Sequence, residues 1–514
     1  MSGPRLSHGE ILPLVRRMTG APDPLSLFAA LTERGTRPDT LLLESADAAT
    51  GVGERSILVV RSMLRLTCRG RQVSVEPLSP NGGSIARSIP TSFPEDPGGE
   101  RDERMRLHRP GPLDALRAAV TAQRLVSEPA SFSHFAAGIF AYDLIDLFED
   151  LPPARMDPLG FPDFVFWVPD RVVVVDHVRD TTTLIALVAG GDAAEAAYYD
   201  AVRDIEHLVQ RMEKAAERRP ESFAHPSGRV ADVPFVADLD DSTFADLVAR
   251  LRENVRAGDV FQIVPSRTFS SACDDAFAAY ARLRVANPSP YQFLVRGPGY
   301  TLFGTSPETA VRVEGDPARV TIRPIAGTAP RGRGADGGID PDLDARLQTA
   351  LLTDSKELSE HLMLVDLARN DVARVSRPGT RRVSRLLTVE RYQHVMHLVS
   401  EVQGELAVGL DALHAYAASM NMGTLVGAPK IRAAELLRLH ERTKRGPYGG
   451  AVGYFSHDGS LDTAIAIRSA FVRDGVAHVR AGAGVVLDSV PASEAEETRR
   501  KAAAVLRSLA EPRP

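Results

Sequence analysis

From Arg323 onward the chain is interrupted at short intervals by glycine-punctuated and acidic tracts. They read RPIAGTAPRG (Arg323 to Gly332), DSKELSEHLMLVDLARND (Asp354 to Asp371), MNMGTLVGAPK (Met420 to Lys430), GPYGGAVGYF (Gly446 to Phe455), DTAIAIRS (Asp462 to Ser469) and AGAGVVLDSVPASEAEET (Ala481 to Thr498). Hairpin-like strands and helices alternate here without a regular βαβ rhythm. An α+β fold with large antiparallel sheets is therefore expected, not a doubly wound parallel sheet. Glycine N–H groups can approach a carboxylate closely, and carboxylates paired on helices can hold a hard cation. The tracts together predict a site for a small polyanion bound through Mg²⁺.

The remaining chain sets the frame. At 514 residues, two to four folding units are expected. A net charge of −6 argues against a nucleic-acid or membrane-surface binder, because the basic excess that neutralises phosphate is missing. No apolar stretch reaches bilayer length, and MSGPRLSHGE lacks a signal-peptide core, so a cytoplasmic protein is expected. Cys68 and Cys273 lie in neither a Cys-x-x-Cys pair nor a Gly-x-Cys-x-Gly elbow, which leaves no visible glutaminase nucleophile.

Thr40 to Asp47, Arg55 to Cys68 and Arg71 to Leu78 read as strands. Pro80 to Pro112 reads as a long surface loop, and Leu113 to Val126 as a helix. Arg171 to Val178 and Thr181 to Val188 suggest an antiparallel pair. Ala193 to Arg218 is helical by periodicity, and Glu221 to Pro234 is the best boundary. That boundary separates residues 1–230 from 240–512, with intimate packing expected between them. A helix capped by Asp241 or Ser242 and stopped at Gly258 should follow.

Glu357, Glu360 and His361 fall at i, i+3 and i+4, on one helix face, and Glu494 and Glu497 repeat that spacing on a second helix. Asp354 with Glu357, and Ser493 with Glu496, equally fit capping boxes. Oxygen-only ligands point to Mg²⁺ in preference to zinc. Arg468 can grip a carboxylate or form a strand-edge ion pair, and Tyr448 adds a donor. GTLVGAPK can form an anion nest or an ordinary turn. His397, among apolar neighbours, reads as a core histidine or a catalytic one.

In this order the tracts, with SPE (Ser306 to Glu308) and TLLLESAD, resemble the chorismate-utilising enzymes, most closely their anthranilate-forming branch. The resemblance implies two large packed antiparallel sheets with helices outside. By matching motif, Glu360 and Glu497 would hold Mg²⁺, with Glu357 and Glu494 supporting. Glu308 would be the general acid, with Thr424 and His397 also at the reacting ring. Gly327 and Thr328 would line the substrate. Tyr448, Arg468 and the backbone of Gly482, Ala483 and Gly484 would hold the enolpyruvyl carboxylate. Relatives that make para-aminobenzoate or isochorismate carry lysines where this chain has Ala326 and Gln262, so neither position activates a nucleophile. Ammonia from a separate glutamine amidotransferase subunit is expected, in a heterotetramer of two large and two small subunits.

The same resemblance places a tryptophan inhibitor site at Glu44, Ser45, Asn287, Pro288, Ser289, Tyr291 and Phe293, with Gln292 where close relatives often show methionine. Two alternatives stay open: a para-aminobenzoate synthase, and a non-catalytic tryptophan-binding regulator.

Overall fold

The computed structural model describes residues 4–45, 54–94, 103–127, 132–154, 156–216, 233–334, 337–392, 395–441 and 443–510. Two strands organise it. Arg55–Arg69 and Phe164–Asp176 are long, apolar and β-branched, and they pair antiparallel along most of their length. Their register shifts between Val59 and Leu64, opposite Pro169, where a ladder donor is missing. On either side of that irregularity the pair belongs to a different sheet.

In the first sheet the pair continues through Thr40–Glu44, Tyr291–Gly297, Tyr300–Ser306, Ser469–Arg473 and Val476–Gly482 to Ser266–Ala272. In the second it continues through Phe135–Phe140, Ala451–Ser456, Leu461–Ile465, Thr309–Glu314 and Arg319–Ile322 to Val395–Glu405. Every pairing named is antiparallel, as the lack of βαβ rhythm predicts. Strands from both sides of the expected boundary join in each sheet, Thr40–Glu44 pairing with Tyr291–Gly297 and Phe135–Phe140 with Ala451–Ser456. The boundary segment itself, residues 221–232, lies outside the described residues.

Period-two alternation divides the apolar residues between two cores. Leu41, Val59, Phe140, Val311 and Phe471 fill the space between the sheets. Leu42, Leu58, Leu294 and Phe303 face outward and are covered by the helices Pro24–Leu31, Ala276–Ala286 and Pro491–Leu509. Among the described residues no helix is long and apolar enough to cross a membrane.

Three local readings are corrected. The presumed loop after Pro80 begins with a helix, Pro80–Ala86, because buried Asn81 donates to Leu187 O and accepts from Ala189 N. A second short helix, Glu103–Leu107, follows within the same stretch. The helix from Leu113 stops at Val120, and Arg124–Leu125 is a strand. The Asp241–Arg256 helix is capped by Asp240, whose carboxylate accepts from Thr243 N at 2.7 Å.

Candidate active site

Two helix N-termini supply the carboxylates. The Ser355–Val375 helix is capped by Asp354, which accepts from the N–H groups of Lys356 and Glu357. The Pro491–Leu509 helix starts at proline, a residue suited to the first helical position, and its cap residue Val490 offers no side-chain bond. The capping box expected of Ser493 and Glu496 is therefore absent.

Both helices adjoin the segment Gly482 to Gly484. Glu360 Oε1 accepts from Gln262 Nε2 at 2.8 Å, and a Cβ on Gly484 would come within 2.7 Å of that nitrogen and 3.7 Å of Glu360 Oε1. Glu497 pairs with Lys501 at 2.7 Å, and Lys501 Nζ also donates to Gly482 O at 3.1 Å. Lys501 escaped the sequence reading, although its i+4 spacing from Glu497 was a usable signal.

Negative charge is in excess here. Burial first, then repulsion from Glu360 and Asp354, raises the Glu357 pKa. Burial also raises Glu494, with Glu497 adding to it, while the Ser489 hydroxyl opposes. Among the described residues no three or more His, Cys, Asp or Glu side chains converge as a closed metal cage. Two carboxylates in an acidic surround are instead the donor set that Mg²⁺ takes when waters and a substrate oxyanion complete its shell. The residues fit that ion.

His361 departs from expectation. It is fully buried against the sheet. Its Nδ1–H donates to Ala326 O at 3.1 Å, and its Nε2 accepts from Ser400 Oγ at 2.6 Å. It anchors the strand that carries Gly327 and Thr328. Thr328 Oγ1 in turn meets His397 Nδ1 at 2.9 Å. Burial, and secondarily Arg468, lowers the His397 pKa to about 4, so its imidazole is neutral at pH 7.

Gly327 has φ +85, and a Cβ there would lie 3.0 Å from Leu398 Cδ1 and 3.4 Å from Glu357 Oε2. Gly327→Ala is expected to cost about 1–2 kcal/mol for the left-handed backbone alone. That should appear as a thermal midpoint lowered by a few degrees and a turnover loss above about tenfold. Wild-type melting and turnover would refute the assignment of this turn to the site.

Glu308 lies in the link between strands Tyr300–Ser306 and Thr309–Glu314, and Ile465 N donates to its carbonyl. Burial pushes its carboxyl up to about 8, against the Thr424 hydroxyl and Lys501. The Thr424 hydroxyl stands beside the carboxyl without reaching good hydrogen-bond geometry, so it keeps unused bonding capacity. GTLVGAPK forms a one-turn helix, Gly423–Val426, and two of its carbonyls are taken by Arg445 and by Val264 N.

The Gly446 turn carrying Tyr448 is held by Asp143, which accepts from Arg445 N and Gly446 N. Tyr448 is buried, its hydroxyl 3.0 Å from a would-be Gly482 Cβ. Arg468 follows the strand Leu461–Ile465, and its Nη1 donates to Lys501 O at 3.3 Å. Burial disfavours its charge, with Tyr448 and Glu497 acting in opposition, and no carboxylate among the described residues forms an ion pair with it. A buried guanidinium of this kind can receive a ligand carboxylate.

A cavity of about 890 Å³ opens between the sheets and is lined by Ser45, Arg55, Tyr291, Phe293, Tyr454 and Asp462. Of these, Arg55, Tyr454 and Asp462 were not anticipated. Glu44 reaches its edge, yet strand alternation turns the carboxylate to the helix side, where Tyr280 OH (2.5 Å) and Arg284 (2.8 Å) hold it. Asn287, Pro288 and Ser289 lie before the Tyr291–Gly297 strand, outside the lining. Asn287 Nδ2 donates to Thr305 Oγ1, and Ser289 Oγ to Asn287 O.

Comparison with known proteins shows the family and the fold. A sequence profile described as chorismate binding enzyme matches residues 97–507. Anthranilate synthase component 1 of Vibrio cholerae is 46% identical over 505 residues, covering 95% of this chain and 94% of the relative. The pyocyanine-specific component 1 of Pseudomonas aeruginosa is 44% identical, covering 96% and 93%. Among solved structures, anthranilate synthase component I of Streptococcus pneumoniae superposes with a TM-score of 0.70 at 31% identity, covering 88% of this chain and 92% of that one. The menaquinone-specific isochorismate synthase of Escherichia coli, at 18% identity and a TM-score of 0.64 over 97% and 95%, shares the fold.

Proposed function

This chain belongs to the chorismate-binding enzymes, in the branch of anthranilate synthase component 1, and from that premise we propose that it converts chorismate and ammonia to anthranilate, pyruvate and water. The observation that carries the reading is Glu308, a buried carboxyl raised to about 8, with the Thr424 hydroxyl and Lys501 acting on it. Such a group is protonated at pH 7 and can deliver a proton.

Arg468, Tyr448 and the backbone of Gly482, Ala483 and Gly484 would bind the enolpyruvyl carboxylate. Gly327 and Thr328 would border the ring. Held by Glu360 and Glu497, with Glu357 and Glu494 supporting, Mg²⁺ would supply Lewis-acid pull on the ring carboxylate. Glu308 would protonate the departing ring hydroxyl, with Thr424 beside it. His397, neutral and oriented through Thr328, would lie against the ring during loss of pyruvate.

Neither position at which the para-aminobenzoate- and isochorismate-forming relatives carry lysine activates a nucleophile here. Ala326 has no functional group, and the Gln262 amide donates to Glu360. Both thiols are buried, and burial pushes Cys68 far above the usual thiol range and Cys273 to about 11. Ammonia ready for attack must therefore arrive from outside the chain. Component 2, a glutamine amidotransferase subunit, would supply it in a heterotetramer of two large and two small subunits.

The reading is tested by incubating purified chain with chorismate, Mg²⁺ and ammonium at alkaline pH, following fluorescence and chromatography. Anthranilate with equimolar pyruvate is the expected result. An aminated product that keeps its enolpyruvyl group would remove the elimination half, and no product would refute the reaction.

The 890 Å³ cavity is the proposed tryptophan inhibitor site. Ser45 Oγ accepts from Arg55 N at 3.1 Å at its wall. Ser45→Phe would remove that bond and fill the space with a ring. Tryptophan inhibition should weaken by about tenfold or more, as expected when a ligand loses one well-placed contact and its room. Ammonia-dependent turnover should be retained, and unchanged inhibition would sink this pocket.

A further inference from the structure

The buried pair Asp371 and Lys430 is used by nothing described so far. Lys430 Nζ lies 2.8 Å from both Asp371 oxygens and 2.8 Å from Ser419 O, so all three of its protons are bound. The three partners come from different segments. Asp371 is on the Ser355–Val375 helix, Ser419 ends the Ala412–Ser419 helix, and Lys430 opens the Lys430–Glu441 helix. Between Ser419 and Lys430 runs the turn that carries Thr424. Its outer wall is already fixed, because Leu425 O accepts from Arg445, and Gly427 and Ala428 pair with Ile263 and Gln262. At its base Lys430 ties the turn by hydrogen bonds to the helix bearing Glu357 and Glu360, beside the close packing of Gly423 on Leu367 of that helix.

We propose that Asp371 and Lys430 are positioning residues, locking the Gly423–Pro429 turn to the carboxylate helix so that Thr424 beside Glu308 and the Glu357–Glu360 face move as one rigid unit. The assignment rests on the chorismate reading for its consequence in turnover, but its geometry stands apart from it. A fixed separation between proton donor and carboxylate pair is what a reaction needs when one group protonates the hydroxyl and the other side of the site grips the ring. A displacement of about 1 Å at such a distance can lower turnover about a hundredfold.

Lys430→Met alone would leave Asp371 buried and unpaired, and that variant can fail to fold. The informative variant is Asp371→Leu with Lys430→Met, which removes both charges and keeps apolar volume. Two readouts separate positioning from mere stability. The first is kcat against KM with ammonium as nitrogen donor. The second is ¹³C-NMR titration of the Glu308 carboxyl in the free protein, which needs no substrate. Thr424 and Lys501 are the groups that face Glu308 and oppose its upward shift. If the turn recedes, Thr424 leaves and the Glu308 titration moves to higher pH.

The expected result for the folded double variant is a kcat lower by about tenfold to a hundredfold, with KM for chorismate within about threefold. The Glu308 titration should shift upward beside it. A Glu308 titration identical to wild type would overturn the proposal whatever the turnover, since Thr424 would then be held without the pair. Failure of the wild type to form anthranilate would count against the proposed reaction and leave the titration as the deciding measurement.

Discussion

Glu308→Gln is expected to lower kcat for ammonia-dependent anthranilate formation by about 10²- to 10⁴-fold, with little change in KM for chorismate. The amide keeps the shape and removes the transferable proton. The wild-type profile carries the signature of the group being replaced. Its carboxyl is raised to about 8, so the acid form is present below that pH and lost above it. Turnover should therefore fall above about pH 8, on a limb set by Glu308, even as more ammonium becomes free ammonia. The residual rate of the variant should show no such limb, and an identical limb in both proteins would remove Glu308 from the acid role.

The same shift bears on stability, with a definite sign. The unfolded carboxyl titrates near 4.5 and the folded one near 8, so folding takes up a proton between those values. The contribution is fully present below pH 4.5 and is lost as pH rises toward 8, at up to about 1.4 kcal/mol per pH unit. Calorimetry should show a steeper loss of thermal midpoint from pH 5 to pH 8 in the wild type than in Glu308→Gln, which is neutral throughout.

The second large effect is expected at Glu360. Glu360→Ala should reduce turnover by more than about a hundredfold and abolish its dependence on Mg²⁺, because one of the two proposed donor carboxylates would be gone. Titration calorimetry with Mg²⁺ should show the matching loss of binding. Glu357 should titrate closer to its ordinary range once the Glu360 charge is removed, although burial, the larger cause of its shift, remains. The Gln262 amide would lose its acceptor at the same time. Retained Mg²⁺-dependent turnover would refute the donor assignment.

Local signals were legible wherever the interaction is itself local. The two acidic helix starts, the strand pair around Asp176 and Thr181, and the antiparallel α+β class all follow from periodicity and turn chemistry over a few residues. Cap positions slipped by one residue, from Asp241 to Asp240, because a run of acids offers several oxygens and only the backbone entry angle selects one. The reading of Pro80 to Pro112 as loop failed for a different reason. Asn81 makes its hydrogen bonds to residues more than a hundred positions away.

The motifs alone determined which residues could meet: carboxylates at i and i+3 on two helices, SPE at a strand end, and a glycine turn before Thr328. Tertiary structure decided what each became. It buried His361 against the sheet and left Glu357 and Glu360 at the site. It gave the Glu44 carboxylate to Arg284, brought Lys501 to Glu497, and joined Lys430 to Asp371 across 59 positions. It also decided the chemistry of Glu308, whose neighbours in sequence, Ser, Pro and Thr, carry no hint of a raised pKa. Periodicity and capping act over one helical turn, whereas desolvation and Coulomb forces depend on everything folded around a charge.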